Sequence, residues 1–168
     1  MPSAATFSIP PIRFLIERWL PAGDTLDPFA RGSLMTTVRN DIDPAHGTEF
    51  TLDAREFLAA MAGRSFAGAL MDPPYSPRQI SECYKAIGRN VSGIDTQNAA
   101  LYSSVRDLLA PLIEFDGIVI SFGWNSVGMG IKRGFAQEEI LLVCHGAAHN
   151  DTICVVERKV EEQHCLPS

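Results

Sequence analysis

Phe66-Ala-Gly-Ala-Leu-Met71 runs directly into Asp72-Pro-Pro-Tyr75. The short, largely apolar run reads as a buried strand, and the turn that follows ends it abruptly. Its two prolines remove two backbone donors and fix φ, leaving carbonyls free to accept hydrogen bonds. A carboxylate beside such carbonyls holds an exocyclic amino group by both of its N–H bonds, drawing the nitrogen lone pair out of conjugation. A tyrosine next to it offers a flat face on which a planar base stacks. The bland alternative is an ordinary proline-rich turn at a strand end.

Working outward, strands and helices alternate. Ile12, Leu15, Ile16, Trp19 and Leu20 lie at helical spacing, which predicts a helix over residues 11–20 behind Pro10 and Pro11. Strands are expected from Thr25 to Phe29, Val38 to Asp43 and Glu49 to Leu52. A helix follows from Asp53 to Met61, with Asp53 as its N-cap. After the Phe66–Met71 strand come two helical stripes, Ile80-Cys83-Tyr84-Ile87 and Leu101 to Ile113. Gly117 to Phe122 is a further strand, and Gly123 to Gly134 a glycine-punctuated connection. Ile140 to Cys144 and Thr152 to Val156 close the chain as an antiparallel hairpin. The pattern argues an α/β three-layer sandwich: a mostly parallel, seven-stranded sheet with a C-terminal hairpin. Residues 1–160 make one domain and 161–168 a charged tail. Ligands of such sheets bind outside the carboxyl ends of the strands. Two strand-end turns are chemically unusual there, Asp27-Pro-Phe-Ala-Arg-Gly32 and Asp72-Pro-Pro-Tyr75.

These segments together resemble the DNA adenine-N6 methyltransferases, in particular their small phage-type members. Asp72-Pro-Pro-Tyr75 looks like the amino-methyltransferase signature, and Asp27-Pro-Phe-Ala-Arg-Gly32 like the family's cofactor loop. Asn40-Asp41-Ile-Asp-Pro44 is similar to the acidic end of its second strand, and Leu52-Asp53-Ala54 falls at its adenine-contacting position. Ser76 to Glu82 and Ile118 to Trp124 extend the likeness over nearly the whole chain. The resemblance implies a Rossmann-like methyltransferase fold with S-adenosyl-L-methionine as cofactor. By the same token, Asp27 and Phe29 would line the methionine part, Asp41 would take the ribose hydroxyls, and Asp53 would accept from the cofactor's adenine amino group. Asp72 and the Pro73 carbonyl, with Pro74 completing the turn, would hold the target amino group, and Tyr75 would stack on the flipped base. Phe122 or Trp124 would form the opposing aromatic wall. Two departures stand out. Only Ala30 to Thr37 separates Phe29 from Val38, room for one tight turn of helix at most, and Arg31 stands where the family prefers glycine.

Composition sets the remaining bounds. The chain of 168 residues is 46% hydrophobic, enough for a sizeable core, and carries a formal charge of −6 from 14 basic and 20 acidic side chains. That balance disfavours binding nucleic acid by bulk positive charge. DNA contact is therefore expected to be weak or loosely specific, through residues such as Arg78, Lys85, Arg89, Lys132 and Arg133, or aided by a homodimer or a separate recognition subunit. Cys83, Cys144, Cys154 and Cys165 form no C-x-x-C pair and read as reduced, mostly buried thiols. No run approaches a membrane span and the first residues do not read as a signal peptide, so a cytoplasmic location with no membrane partner is expected. His145, His149, Asn150 and Asp151 are explained by turn formation rather than by a metal site. The alternatives to a DNA methyltransferase are one acting on RNA or protein, and a non-catalytic protein of the same fold that binds nucleic acid or another subunit.

Overall fold

The computed structural model describes residues 6–74, 77–88, 98–145 and 151–160. Among these, six strands form one sheet: β1 (Thr25–Asp27), β2 (Val38–Arg39), β3 (Phe66–Met71), β4 (Ile113–Gly123), β5 (Phe135–Val143) and β6 (Thr152–Lys159), in the spatial order β2-β1-β3-β4-β6-β5. The β2-β1, β1-β3 and β3-β4 pairs are parallel, and β6 runs antiparallel to both β4 and β5. The order turns outward from β1 in one direction and from β3 in the other, which leaves a crevice at the carboxyl ends of those two strands.

Two apolar layers hold the sheet. On one face α1 (Pro10–Trp19) packs Ile12, Leu15 and Ile16 against Leu70, Ile120, Cys154 and Val156. The helix is amphipathic, with the prolines in its first turn where no N–H is missed. On the other face α2 (Ala54–Ala60) and α4 (Asn98–Leu109) bring Phe57, Leu58, Val105 and Leu109 onto Leu26, Phe66, Ala69 and Val119. The helix α3 (Pro77–Ala86) adds Ile80 to that layer.

Residues 28–37 join the parallel neighbours β1 and β2 without any helix. The short crossover is tied by Thr25 and Thr37, whose main-chain N–H groups each donate to the other's hydroxyl, at 2.9 and 3.2 Å. No helix backs β1 on its exit, as the eight-residue spacing implied.

Several expectations are corrected. Glu49 to Leu52 is no strand; it touches the sheet through a single Asn40–Phe50 bridge. The reason is Asn40, fully buried, whose amide donates to the carbonyls of Pro28 and Leu52 and accepts from the Leu52 N–H, all at 3.0 Å. One side chain thus does what a strand ladder would do. The second helical stripe ends early, at Leu109, and β4 begins at Ile113 rather than Gly117. A bulge separates the two starts, with Asp116 at φ 68° and Gly117 packed so tightly that a Cβ would lie 2.6 Å from Ile113 Cγ2. β5 likewise starts at Phe135, five residues before the expected Ile140. Among the described cysteines only Cys154 is buried; Cys83 is half-buried and Cys144, past the end of β5, is exposed. Arg89, His149, Asn150, Cys165 and the expected tail lie outside the described residues. His145 closes the β5-β6 end by accepting or donating at Thr152 Oγ1, 2.9 Å away, while its N–H donates to Asp151.

Candidate active site

The loops after β1 and β2 are each shaped by a carboxylate that takes their own N–H groups. Asp27 ends β1, and its Oδ1 accepts from the Phe29 N–H at 2.9 Å. The residue is 0% exposed, and its Oδ2 has no hydrogen-bond partner among the described residues. Burial pushes the Asp27 carboxyl well above the usual carboxylate range; the Phe29 bond opposes this, and the nearby charges of Asp72 and Asp41 reinforce it.

Asp41 follows β2 and organises two loops. Its Oδ2 accepts from the Arg31 N–H at 3.0 Å and its Oδ1 from the Asp43 N–H at 2.9 Å, with His46 Nε2 4.0 Å from the same oxygen. Asp43 in turn caps the short turn Pro44–His46 by accepting from Ala45, a turn role as its place before Pro44 suggested. Arg31 adopts φ 50°, a left-handed conformation that glycine takes freely and that costs an L-residue about 1 kcal/mol.

Asp53 is the N-cap of α2. Its Oδ1 accepts from the Arg55 N–H at 2.9 Å and from Arg55 Nε at 3.0 Å, and its Oδ2 accepts from the Tyr84 hydroxyl of α3. Burial raises the Asp53 carboxyl, but the bonds from Arg55 and Tyr84 outweigh it and leave the pKa below the usual value. The Tyr84 hydroxyl is pushed up to about 12, first by burial and then by the Asp53 carboxylate it donates to.

At the end of β3 the turn carries Asp72, 6% exposed, then buried Pro73 and half-buried Pro74. These loops and α3 enclose a cavity of about 310 Å³. Phe29, Asp41, Asp53, Asp72 and Pro74, all singled out from the sequence, line it together, and Asp27 lies beneath. The volume is that of a small-molecule site.

The other expected site residues are placed elsewhere. Phe122 is not a cavity wall: it is buried on the α1 face, with its ring centroid 5.0 Å from that of Phe7. Trp124 is 45% exposed beyond the end of β4 and outside the cavity lining. Arg78 points to solvent from α3 and pairs with Glu82 at 2.8 Å. Arg133 is engaged with Asp107 and the Met129 carbonyl. Tyr75 lies outside the described residues.

Sequence reasoning noted Arg31 only as a departure from glycine and missed the parts played by Asn40, His46 and the α3 wall. Ile80, Cys83 and Tyr84 were visible as an apolar stripe, yet the same spacing serves a helix facing a core and one facing a cavity. No described helix is long and apolar enough to cross a membrane.

The sheet order and the crevice define a mixed α/β, Rossmann-like fold of the kind found in methyltransferases. The chain superposes on TrmN from Thermus thermophilus with a TM-score of 0.59 at 16% identity, covering 90% of this chain and 49% of that one, so it spans about half of TrmN's length. It matches the N-methyltransferase NodS from Bradyrhizobium japonicum, solved with S-adenosyl-L-homocysteine, at TM-score 0.56 and 9% identity over 90% of this chain and 89% of NodS. An rRNA methylase from Streptococcus thermophilus gives 0.54 at 10% identity over 89% and 93% of the two chains. At these identities the likeness is one of fold. No protein-family model and no curated protein matches the sequence.

Proposed function

We propose that this protein is an S-adenosyl-L-methionine-dependent methyltransferase acting on an exocyclic amino group, the N6 amino group of adenine in DNA. The observation that carries the reading is the Asp72-Pro73-Pro74 turn on the rim of an acidic cavity at the carboxyl end of β3. The cavity residues fit the cofactor. Beneath them Asp27 Oδ2 is a buried oxygen with no hydrogen-bond partner among the described residues, set near Asp72 and Asp41, and the mutual repulsion of these carboxyls is what a cationic ligand would offset. Asp41 stands on the wall as an acceptor for hydroxyls, while Phe29, Leu52 and Ile80 give apolar surface for a ring. The methyltransferase neighbours, one of them holding S-adenosyl-L-homocysteine, support the same assignment.

When bound, the cofactor supplies an electrophilic methyl group. The carboxylate of Asp72 and the Pro73 carbonyl accept the two N–H bonds of the acceptor amino group, which aims its lone pair away from the ring. Asp72 would also accept the proton that the amino group must lose on methylation. Pro74 fixes the turn, and Tyr75 stacks on the base. Catalysis here is mainly positioning and electrostatic complementarity. With a net charge of −6, DNA is held weakly or with help from a second subunit.

RNA is the second reading, favoured because the fold's solved neighbours include a protein named as an rRNA methylase. The test is calorimetric titration with S-adenosyl-L-methionine, followed by labelled-methyl transfer to DNA, RNA and protein in competition. Asp72→Ala is expected to lower transfer at least about 1,000-fold while weakening the cofactor far less than that. Absence of cofactor binding up to millimolar concentration overturns the enzyme reading and leaves a binding protein of this fold. Transfer to RNA in preference to DNA replaces adenine in DNA with the second reading.

A further inference from the structure

Five carboxylates line the cavity, those of Asp41, Asp43, Asp53, Asp72 and Glu82. Among the described lining residues, one permanent cation faces them, Arg31. An acidic cavity of this kind suits a cation, but a ligand that also carries a carboxylate meets repulsion unless a positive group receives it. Helix N-termini are the usual receivers in α/β crevices. Residues 28–37 leave β1 without a helix, so no such terminus stands behind this cavity from that crossover.

We propose that Arg31 is an anion subsite within the acidic cavity and binds the α-carboxylate of an amino-acid ligand, in this protein that of S-adenosyl-L-methionine. The inference rests on the cofactor reading above and assigns a residue to a part of the ligand that the carboxylates cannot hold. Three observations carry it. The Arg31 backbone is held in the left-handed region at φ 50°, where glycine is relaxed and a long side chain is strained. Its N–H is anchored at 3.0 Å to Asp41 Oδ2, which fixes the origin of the side chain on the cavity wall. Arg31 and Cys83 of α3 also line the cavity together, and the positive charge of Arg31 opposes the rise that burial imposes on the Cys83 thiol. A planar guanidinium pairs a carboxylate through two parallel N–H bonds, which a helix terminus or a lysine does not reproduce. The ammonium and sulfonium of the same ligand are then left to the acidic set.

The test pairs two ligands that differ only in the carboxylate, S-adenosyl-L-methionine and its decarboxylated form. Each is titrated calorimetrically into the full chain and into Arg31→Gly and Arg31→Lys. Arg31→Gly is expected to weaken the carboxylate-bearing ligand at least about tenfold, leave the decarboxylated ligand within about twofold, and keep or raise the thermal midpoint because the strain is relieved. Arg31→Lys is expected to fall between, through charge without the fork. Equal losses for both ligands, or no loss for either, overturn the subsite while wild-type binding preserves the cofactor reading. If the wild-type chain binds neither ligand, the cofactor reading falls and the subsite falls with it.

Discussion

The turn after β1 and the N-terminus of α2 border the same cavity, and each buries an aspartate, but the two carboxylates are treated in opposite ways. Asp53 is satisfied by the protein's own donors. Both of its oxygens accept from neighbours, Arg55 and Tyr84, and its pKa stays below the usual value despite burial. Asp27 has one oxygen satisfied by Phe29, the other without a partner among the described residues, and two further carboxylates as neighbours, and burial, reinforced by those charges, drives its pKa up. A buried polar atom without a partner costs free energy that a satisfied one does not. The difference separates a carboxylate that holds the wall together from one whose bonding is incomplete among the described residues. The family resemblance treats both as cofactor contacts; the geometry gives the spare acceptor capacity to Asp27.

The comparison breaks most visibly if Asp53 proves dispensable. Asp53→Ala removes the N-cap of α2 and strips the Tyr84 hydroxyl of its acceptor, and is expected to lower stability by about 2–3 kcal/mol. Arg55 contributes little of this, because its side chain is 43% exposed and readily solvated. Urea denaturation measures the change. A loss below about 0.5 kcal/mol, the range of an ordinary surface substitution, would put Asp53 back among the ligand-binding residues.

Asp53 also shows what the sequence could tell. Its place before an apolar helical run made it legible as an N-cap, and Ile12, Leu15 and Ile16 made α1 legible by spacing alone. The β3 strand and its Asp72 turn were legible because prolines end a strand in only one way. Phe122 was not, and the reason is physical. Ile118 to Phe122 is buried on both faces of the sheet, so apolar residues run without alternation and no period says which side faces the crevice. Asn40 was illegible as a staple because its three bonds go to residues twelve positions away on either side. The left-handed Arg31 was signalled only by its departure from glycine.

Asp27→Asn sharpens the other half of the comparison. The folded chain keeps the Asp27 proton at pH values where the unfolded chain, near the ordinary value of 3.8, has lost it. The unfolded state then binds fewer protons, so stability falls as pH rises above that value and goes on falling until the raised folded pKa is passed. The asparagine variant keeps an acceptor for the Phe29 N–H and cannot ionise. It is expected to gain stability relative to wild type as pH rises above 3.8, and to go on gaining until the raised folded pKa is passed. Glu157 is also raised by burial, but it is common to both proteins and cancels in the difference. Parallel pH profiles would mean that Asp27 titrates as it does in the unfolded chain, and the contrast with Asp53 would be lost.

Tyr84→Phe has the smallest expected effect and tests whether Asp53 owes its completeness to α3. Removing the hydroxyl takes one donor from a carboxylate that retains Arg55, and should cost about 1 kcal/mol near neutrality. The Asp53 carboxyl should titrate at higher pH in the variant, because one of the bonds that lowers it is gone. The alkaline limb gives the sharper sign. Tyr84 ionises at about 12 in the folded chain against 10.0 for the free side chain, so its contribution is intact below 10.0 and is lost as pH rises through about 12. Wild type should therefore lose stability over that interval by an amount the phenylalanine variant does not. If both decline together, the Tyr84–Asp53 bond adds nothing net, and the N-terminus of α2 is held by its cap and Arg55 alone.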